Sequence, residues 1–331
     1  MKLPAGALGG ILLVHKEAGM TSFDVVAQVR RLCGLRKVGH MGTLDPFATG
    51  LLPVAVGRST GIIRYTEGYD KAYRVVIALG QATDTQDLTG TPVPRGGAPL
   101  TAAKMAAWLA DDAAFLRQKI KDLQGDRLQV PPMYSAVKIK GEPLYKYARR
   151  GETVERRPRP ITVYRAELVR VAQVDGPAPL QLTVDFQVSK GTYIRTLASD
   201  LGEDLGCGAH AAALLRTQCG PYFLQDSSKL TDLKVKWESR STGGDNGRSD
   251  GLLLSPETAV QHFPMLKLSL CEARDLLQGK RLKLARQQPG PRFRIISERG
   301  FVGVAKVIEG TEKDMLIGAE RMFAKLDDYT F

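Results

Sequence analysis

The chain has 331 residues, of which 43% are hydrophobic and 25% charged, as in a globular protein with a sizeable core; no apolar run approaches the length that spans a bilayer. This length predicts one large domain and a smaller one. The 47 Lys and Arg residues against 35 Asp and Glu give a net charge of +12, which favours a polyanionic partner, although many basic surfaces are only solvated.

The cysteines and the N-terminal region indicate a reducing compartment. The four cysteines are far apart, and their spacing matches neither a zinc site nor a disulfide framework. The apolar stretch at residues 8–14 follows a single charge and has no small-residue cleavage site. It therefore predicts a buried strand rather than a signal peptide, and we expect a cytoplasmic protein.

In chain order, the predicted elements begin with that buried strand, over residues 10–16. Thr21 and Asp24 form a weaker version of the capping box and predict an amphipathic helix that continues to about Leu32. Residues 34–50 hold several glycines and a proline and predict a long, shaped loop. Further strands are predicted at 51–56, 73–79, 161–171 and 180–188, one or two helices at 102–123, single helices at 142–150 and 193–205, and a loop at 83–99.

Strands and helices follow one another without a steady βαβ alternation. This order predicts an α+β fold with a mixed, mainly antiparallel sheet and flanking helices, and it argues against a doubly wound nucleotide-binding fold. Residues 239–251 are rich in Ser, Gly, Asp and Arg, which indicates a linker. Beyond it, one helix at 271–277 and short strands at 293–296, 301–307 and 315–317 predict a small β-rich domain.

The most informative segment is residues 37–50, which surround Asp45. Its glycines permit backbone conformations and close approaches that a side chain would block. Pro46 disfavours helical geometry at Asp45 and holds that residue extended. A carboxylate on a rigid loop beside His40 can serve as a reactive centre, but Asp-Pro is also a common turn opener. The segment alone leaves both interpretations open.

A series of sequence blocks resolves this ambiguity. The run GHMGTLDPFATGLLP at residues 39–53 resembles the catalytic motif of the TruB family of pseudouridine synthases. Five further blocks resemble the same family in the same order, over residues of about 9 to 230. They are KAYRV at 71–75, GQATDTQD at 80–87, PPMYSAVK at 131–138, SKGTYIRT at 189–196 and LGCGAH at 205–210.

Two positions depart from the family pattern. The family usually has Thr where this chain has Met41, and a Lys-Pro pair where it has Lys16 and Glu17. Neither departure changes Asp45, so they bear on the detail of the loop and on the rate more than on the type of reaction.

The resemblance implies an isomerase that converts a uridine of RNA to pseudouridine. The N1–C1′ bond breaks, the base turns, and the base is rejoined through C5. Since this requires no redox change, metal or group donor, we expect no cofactor and no metal site. The family also implies the substrate, which is uridine 55 of the TΨC sequence in the T arm of tRNA.

The same resemblance assigns roles to five residues around the target base. Asp45 is expected to be the nucleophile or base at the glycosidic bond, and the sequence leaves its mode of attack open. Arg195 is expected to pair with Asp45 and keep it ionised. Tyr73 is expected to stack on the base. Tyr193 and Leu214 are expected to line the same pocket, although a leucine is more often only part of the core.

The uridine must also leave its stack before it can reach Asp45. His40 resembles the family histidine that occupies the vacated space or contacts the flipped nucleotide. A neutral imidazole suits that task. Lys16 and His210 are interpreted as structural residues.

The resemblance also implies a division into domains. A catalytic domain is expected over residues 9–235, with an insertion at 94–129 that closes over the RNA. A partly disordered linker is expected over 236–256, and a small β-rich domain, loosely similar to a PUA domain, over 257–331. Basic residues interleave with tyrosines at 138–150 and 156–165, which is typical of RNA contacts, although such runs are often only a solvated face.

Three alternatives remain at this point. The chain could be a guide-dependent relative of the dyskerin type, an RNA chaperone without chemistry, or a nucleoside hydrolase that releases free uracil. The insertion favours a stand-alone bacterial enzyme that acts as a monomer on tRNA, without an obligate protein partner or a membrane. The presence of Asp45, Tyr73 and Arg195 argues against an inactive enzyme.

Overall fold

The computed structural model describes residues 9–94, 100–239, 251–285 and 289–329. Residues 240–250 of the expected linker and residues 95–99 of the expected loop lie outside these ranges. The described fold is α+β, as predicted. One large sheet with helices packed against it precedes a smaller sheet near the C-terminal end.

The strands are β1 (Ile11–Lys16), β2 (Val38–His40), β3 (Thr49–Val56), β4 (Lys71–Leu79), β5 (Ala82–Thr83), β6 (Pro92–Val93), β7 (Gly125–Gln129), β8 (Lys138–Ile139), β9 (Glu142–Pro143), β10 (Arg159–Gln173), β11 (Leu180–Val188), β12 (Ala209–Cys219), β13 (Tyr222–Phe223), β14 (Ser228–Lys229), β15 (Met265–Lys267), β16 (Leu282–Ala285), β17 (Arg292–Ser297), β18 (Gly300–Gly310) and β19 (Asp314–Met322). The α-helices are α1 (Ser22–Cys33), α2 (Ala102–Lys121), α3 (Leu144–Arg149), α4 (Ile194–Asp204), α5 (Leu230–Ser239) and α6 (Leu270–Leu277). Short 3-10 helices cover Gly57–Tyr65, Leu224–Asp226, Pro256–Val260 and Leu326–Tyr329.

The large sheet has the strand order β14-β1-β3-β12-β4-β11-β10-β7, with β2 paired to β3 and β13 paired to β12. Its pairs are antiparallel except β1 with β14 and β3 with β12. The predicted mixed, mainly antiparallel sheet is therefore confirmed. The strands predicted at 161–171 and 180–188 are β10 and β11, which pair with each other.

Helix α1 begins where the sequence predicts. The Thr21 side chain accepts a hydrogen bond from the Asp24 backbone N–H at 3.1 Å, and the Asp24 carboxylate accepts one from the Thr21 backbone at 2.8 Å. The two bonds form a complete capping box, which stabilises a helix by about 1 kcal/mol. Gly34 ends the helix in the left-handed conformation. The position of Ser22, in the first turn, is thereby fixed.

Helix α2 contains a kink. Asp111, Asp112 and Ala113 have positive φ values of 51°, 55° and 58°, which split the element into two helical halves. Trp108 on the first half stacks on Phe115 on the second, with ring centroids 5.8 Å apart. The prediction of one or two helices in this segment therefore corresponds to a kinked pair that packs on β10.

Five strands of the large sheet were not predicted: β2, β7, β12, β13 and β14. β2 lies inside the segment that we expected to be entirely loop, and β12 follows a motif without any strand signal of its own. The sequence of β12, AHAAALLRTQC, is rich in alanine and has Thr217 as its single β-branched residue. β12 is a strand because it lies in the middle of the sheet, hydrogen-bonded to β3 and β4.

The C-terminal region forms a sheet of five strands in the order β15-β17-β18-β19-β16, which confirms the predicted β-rich domain. Its own core contains Phe293, Ile295 and Ile317. A second apolar cluster joins it to the large domain, where Ile62 packs with Phe323. The 3-10 helix Gly57–Tyr65 therefore supports the C-terminal sheet. None of the described helices is both long and apolar enough to cross a bilayer.

Candidate active site

The loop between β2 and β3 carries Asp45 and is anchored on both sides of that residue. Before it, the Ser22 hydroxyl accepts a hydrogen bond from the Leu44 N–H at 2.9 Å and donates one to the Leu44 carbonyl at 3.1 Å. After it, the Pro46 carbonyl accepts bonds from the Gly19 N–H at 2.9 Å and from the Lys16 ammonium at 3.2 Å. The start of α1 and the end of β1 therefore hold the loop in place.

The closure of this loop also depends on Gly50, at the start of β3. Gly50 has a φ of 102°, and a Cβ at this position would lie 2.4 Å from the Arg216 carbonyl oxygen. Only glycine allows this conformation and this approach of β3 to β12 without strain.

Arg195 is the partner of Asp45, as predicted from the motif. Its Nε lies 2.8 Å from Asp45 Oδ2, and its Nη2 donates to Asp45 Oδ1 at 3.3 Å. The Arg195 side chain is only 3% exposed, whereas the Asp45 side chain is 34% exposed. The guanidinium is therefore buried behind the carboxylate, and the carboxylate opens outward. Gln129 fixes the start of α4, because its side-chain amide bonds both the N–H and the carbonyl of Tyr193.

A second carboxylate, Asp87, lies on the far side of the same guanidinium. Arg195 Nη1 is 3.2 Å from Asp87 Oδ2 and donates to the Thr85 carbonyl at 2.8 Å. Asp87 is buried and also accepts hydrogen bonds from Thr89, through the backbone N–H at 3.0 Å and the hydroxyl at 2.6 Å. In the order Asp45–Arg195–Asp87 the guanidinium and Asp87 are buried, and the two carboxylates constrain the guanidinium from both sides.

The electrostatics of this chain act on Asp45. Burial raises the pKa of the Asp45 carboxyl above its ordinary value; Arg195 opposes the rise and Asp87 adds to it. A carboxylate with a raised pKa is a better base and nucleophile than an exposed one. The site can therefore display one reactive carboxylate that a single guanidinium keeps oriented.

A cavity of about 280 Å³ opens in front of Asp45. Five of the six predicted site residues line it: Asp45, Tyr73, Tyr193, Arg195 and Leu214. Larger cavities exist in the described residues, and one of about 680 Å³ lies beside α5. Its lining includes Asp226 and Lys236 but none of the predicted site residues.

Tyr73 and Leu214 reach the cavity from neighbouring strands. In the β4–β12 pairing Tyr73 is opposite Arg216, and Leu214 is two residues before Arg216 on the same face. Burial raises the pKa of the Tyr73 phenol above its ordinary value, with Arg216 opposing the rise. The hydroxyl is therefore protonated at neutral pH, and the half-buried ring offers an apolar surface with a polar edge.

Arg216 was not predicted. It is fully buried, and its guanidinium donates to three carbonyls, those of Leu51 at 2.7 Å, Gly42 at 3.1 Å and Thr43 at 3.3 Å. It thus joins β12 to the Asp45 loop. The detectable signal was an arginine directly after the apolar run at residues 211–215. Asp87 was quoted in a motif but not assigned to the site.

His40 is the predicted residue that does not line the cavity. Its ring packs edge-on against Phe23, with centroids 5.6 Å apart, and its Nδ1 is buried without a hydrogen-bond partner. Burial and then Arg216 lower the pKa of His40, so the imidazole is neutral at pH 7. Phe23 is 74% exposed. Together they form an aromatic edge beside the cavity.

Lys16 and His210 were interpreted as structural. Lys16 is buried behind the Asp45 loop, and burial lowers the pKa of its ammonium to about 8, with Asp45 opposing the change. His210 Nδ1 lies 2.8 Å from the Gln81 carbonyl, away from the cavity.

Two family models match this chain in succession. The model for the N-terminal domain of the TruB family of pseudouridylate synthases matches residues 30–194, and that for the C-terminal domain of tRNA pseudouridylate synthase B matches residues 195–261. The chain belongs to the TruB family. Members of this family are isomerases that act on RNA, which confirms the enzyme class expected from the sequence.

Individual relatives extend this match over nearly the whole length. The tRNA pseudouridine synthase B of Shewanella amazonensis is 38% identical over 325 residues, 97% of this chain and 96% of that protein. That of Heliobacterium modesticaldum is 41% identical over 261 residues, 79% of this chain and 78% of that protein.

Solved structures show the same fold. A crystal structure of the archaeal box H/ACA sRNP Nop10–Cbf5 complex contains a chain with a TM-score of 0.69 and 24% identity, covering 98% of this chain and 89% of that one. A Cbf5–Nop10–Gar1 complex gives 0.69 at 25% identity, covering 99% and 89%. The overall fold of this chain is therefore shared with the chains of these two complexes.

Proposed function

We propose that this protein is a stand-alone tRNA pseudouridine synthase that converts uridine 55 in the T loop of tRNA to pseudouridine, with Asp45 as the nucleophile. The observation that carries the proposal is the exposed face of the Asp45 carboxylate in a cavity that Tyr73 and Arg195 also line. The curated relatives of 38–41% identity support tRNA as the substrate, because they are tRNA pseudouridine synthases and the match covers most of their length.

Asp45 acts at the sugar. Its carboxylate engages C1′ as the N1–C1′ bond breaks, and the detached base turns so that C5 faces C1′. A C5–C1′ bond then forms as the bond between C1′ and the Asp45 carboxylate breaks, C5 loses its proton and N1 gains one, so that atoms and charge balance. Arg195 keeps the carboxylate ionised and oriented throughout, since the Asp87 contact prevents the guanidinium from following the substrate.

The remaining lining residues retain the base. Tyr73 stacks on the uracil ring, while Leu214 and Tyr193 limit its movement. A glycosidase activates water with a second carboxylate at the scissile bond. Here Asp87 is ion-paired with Arg195 and does not line the cavity, so that Asp45 is the carboxylate that faces the sugar. This arrangement favours recapture of the base over its hydrolysis.

The uridine reaches the cavity by leaving its stack. The neutral, half-buried His40 ring and the exposed Phe23 ring beside it provide an aromatic surface for the RNA loop at the edge of the cavity. α3, its C-terminal neighbour Arg150 and the preceding hairpin carry exposed basic side chains. Two of them lie over tyrosine rings, Arg149 over Tyr145 and Arg150 over Tyr147. Both surfaces suit a folded RNA loop.

The proposal includes the division of labour along the chain. Residues 9–235 perform the chemistry, the kinked α2 of the insertion at 94–129 closes over the T arm, and the β-rich region from 257 assists RNA binding. The enzyme acts as a monomer in the cytoplasm without guide RNA, cofactor or protein partner.

The test uses purified full-length protein and unmodified tRNA, without guide RNA or partner proteins. We expect one pseudouridine, at position 55, and no free uracil. Asp45→Asn should still bind tRNA and lose activity by at least about 10⁴-fold, because the amide cannot act as a nucleophile. Pseudouridine mapping and chromatography of released bases provide the measurements.

Asp175→Asn is the matched control, since Asp175 is exposed in the turn between β10 and β11. It should retain full activity. Retained catalysis in Asp45→Asn would contradict the assigned nucleophile. Absence of product with the wild-type protein would favour the guide-dependent type, and free uracil would favour a hydrolase.

A further inference from the structure

A groove at the junction of the two domains collects four cationic side chains. It has a volume of about 580 Å³, and Arg36, Lys37, Arg64 and Arg321 line it. The first two precede β2, Arg64 belongs to the 3-10 helix that supports the C-terminal sheet, and Arg321 lies near the end of β19. We call this the domain-junction groove. It is separate from the Asp45 cavity, with which it shares no lining residue.

Arg321 crosses from the C-terminal sheet onto the large domain. A Cβ at Gly61 would lie 2.2 Å from Arg321 Nε and 2.7 Å from its Cζ, so the guanidinium rests against the backbone of Gly61. The absence of a side chain at Gly61 makes this contact possible. Nearby, Arg58 donates to the Ala324 carbonyl at 3.4 Å, and Ile62 and Phe323 share a core cluster. The groove is therefore built from both domains and is incomplete without the second.

The four positive charges of the groove have no acidic partners among the described residues. Among the described residues, no carboxylate lies within ion-pair distance of any of the four. Glu320, the neighbour of Arg321, is held by Arg292 at 2.8 Å and 3.3 Å. All four side chains are exposed. Four like charges around one groove repel one another, and an anion that enters it relieves this repulsion.

The position of the groove indicates which anion enters. β2 forms part of its floor and leads directly to His40, which is about 10 Å from Lys37 at the usual rise of a strand. At His40 the exposed ring of Phe23 offers a stacking surface. A cationic groove next to an exposed aromatic surface is the combination that binds unpaired nucleic acid strands. An acidic peptide would be bound by the cations alone, and its binding would not explain the aromatic edge or the nearby cavity.

We propose that the domain-junction groove binds backbone phosphates of the RNA substrate next to the flipped nucleotide, and that Arg321 makes the C-terminal domain a part of the substrate site. The proposal rests on the proposed function for the identity of the RNA. Guanidinium groups bind phosphate oxygens in paired hydrogen bonds, which suits the three arginines of the groove.

The test compares Arg321→Gln with Lys313→Gln in the full-length protein. Lys313 is exposed in the turn at the opposite end of β19, so that both variants lose one positive charge from the same domain. We expect Arg321→Gln to raise the KM for tRNA about tenfold, with kcat unchanged at saturation, as fits the loss of one charge-assisted contact. Lys313→Gln should leave both constants unchanged.

Salt dependence provides a second measurement. The slope of log K against log salt should fall by about one in Arg321→Gln, because one phosphate contact is lost. Binding is measured in the Asp45→Asn background so that the RNA stays unmodified. An equal KM in Arg321→Gln and Lys313→Gln, or an unchanged slope, would overturn the proposal.

Gly61→Ala tests whether the position of the Arg321 guanidinium matters in addition to its charge. The added methyl displaces the Arg321 guanidinium without removing it, so we expect KM to rise in this variant as well, while Arg321→Lys should recover part of the affinity. If Gly61→Ala binds tRNA like the wild type although Arg321→Gln does not, Arg321 acts only as a distant charge and the built site is refuted. Thermal melting of each variant checks that folding is intact. Failure of the proposed function would appear separately, as a wild-type protein that makes no pseudouridine.

Discussion

The Asp45 cavity and the domain-junction groove both gather arginines, but they differ in how the charges are compensated. In the cavity the Arg195 guanidinium is buried and lies between two carboxylates, while that of Arg216 is buried among carbonyls. In the groove the cations are exposed and lack carboxylate partners among the described residues. The charged groups of the Asp45 cavity are held in place before the substrate binds, whereas the cations of the domain-junction groove are neutralised only when the substrate binds.

This difference teaches what each region can contribute. Preorganised, desolvated charges stabilise a transition state, because no reorganisation is needed at the moment of reaction. Exposed cations contribute to affinity and to the rate of encounter, and salt screens them. Substitutions in the cavity should therefore change kcat, and substitutions in the groove should change KM. The following experiments test that distinction.

The largest effect is expected at Arg195. Arg195→Gln removes the charge that orients Asp45, and we expect kcat to fall by about 10³-fold with little change in KM. Single-turnover pseudouridine formation is the measurement. Arg74→Gln is the matched control, since Arg74 forms a bidentate pair with Asp185 on the protein surface at 2.7 Å. Exposed pairs contribute little, so the control should retain its kcat.

The pH dependence of the same reaction tests the cause. Under the proposed function catalysis requires ionised Asp45, so we expect activity to fall as the pH decreases through the Asp45 pKa. Removing Arg195 raises that pKa further and should move the acid limb of kcat to higher pH. Asp87→Asn removes a charge that raises the pKa and should move the limb to lower pH. Shifts in the same direction would contradict the charge order Asp45–Arg195–Asp87.

A smaller effect is expected at Arg216, which touches the loop rather than the carboxylate. Arg216→Gln leaves buried carbonyls without donors, and we expect a loss of about 3 kcal/mol in the free energy of unfolding. Displacement of the loop should lower kcat by about 30-fold, since small misplacements of reacting groups are costly. Denaturant unfolding and single-turnover assays provide the two values.

Arg170→Gln is the control for Arg216, because Arg170 is exposed on β10. It should leave both quantities unchanged. Arg216→Lys keeps the charge but cannot reach three carbonyls at once, so it should fall between the wild type and Arg216→Gln. A stable Arg216→Gln variant with normal kcat would show that the loop is held without this residue.

The elements that could be predicted from sequence are those whose signals are local. α1 was predicted because Thr21 and Asp24 form its cap and its apolar residues recur with helical period. β12 was missed because it is a strand only by virtue of its pairing with β3 and β4, which are distant in sequence. The hydrogen bonds from Arg216 to the Asp45 loop depend on the same pairing, so no local sequence pattern predicted them.

The candidate site shows the same limit. The motifs singled out Asp45, Tyr73, Tyr193, Arg195 and Leu214, and the fold brings these five to one cavity; their roles stay predictions. Asp87 was overlooked because an aspartate within a threonine-rich turn usually caps that turn. Its contact with Arg195 arises only when the loop after β4 meets the start of α4.

The smallest effect is expected at Lys16, a cation of the cavity region without a carboxylate at hydrogen-bonding distance among the described residues. Lys16 is fully buried, and the pKa of its ammonium is lowered to about 8, mainly by burial. Between pH 8 and the ordinary value of 10.5 the unfolded chain binds a proton at Lys16 that the folded protein has released. The free energy of unfolding therefore rises with pH in this window.

Lys16→Met should abolish that rise. One pKa unit corresponds to about 1.4 kcal/mol, so the wild type should gain at most about 3 kcal/mol relative to the variant across the window. Urea unfolding at pH 7.5 and pH 10 measures the difference. Lys37→Met, at an exposed lysine of the groove, should differ from the wild type equally at both pH values. If Lys16→Met and Lys37→Met change the pH dependence of the free energy of unfolding equally, burial has no separate effect on Lys16. The contrast between buried cations near the cavity and exposed cations in the groove would then be wrong.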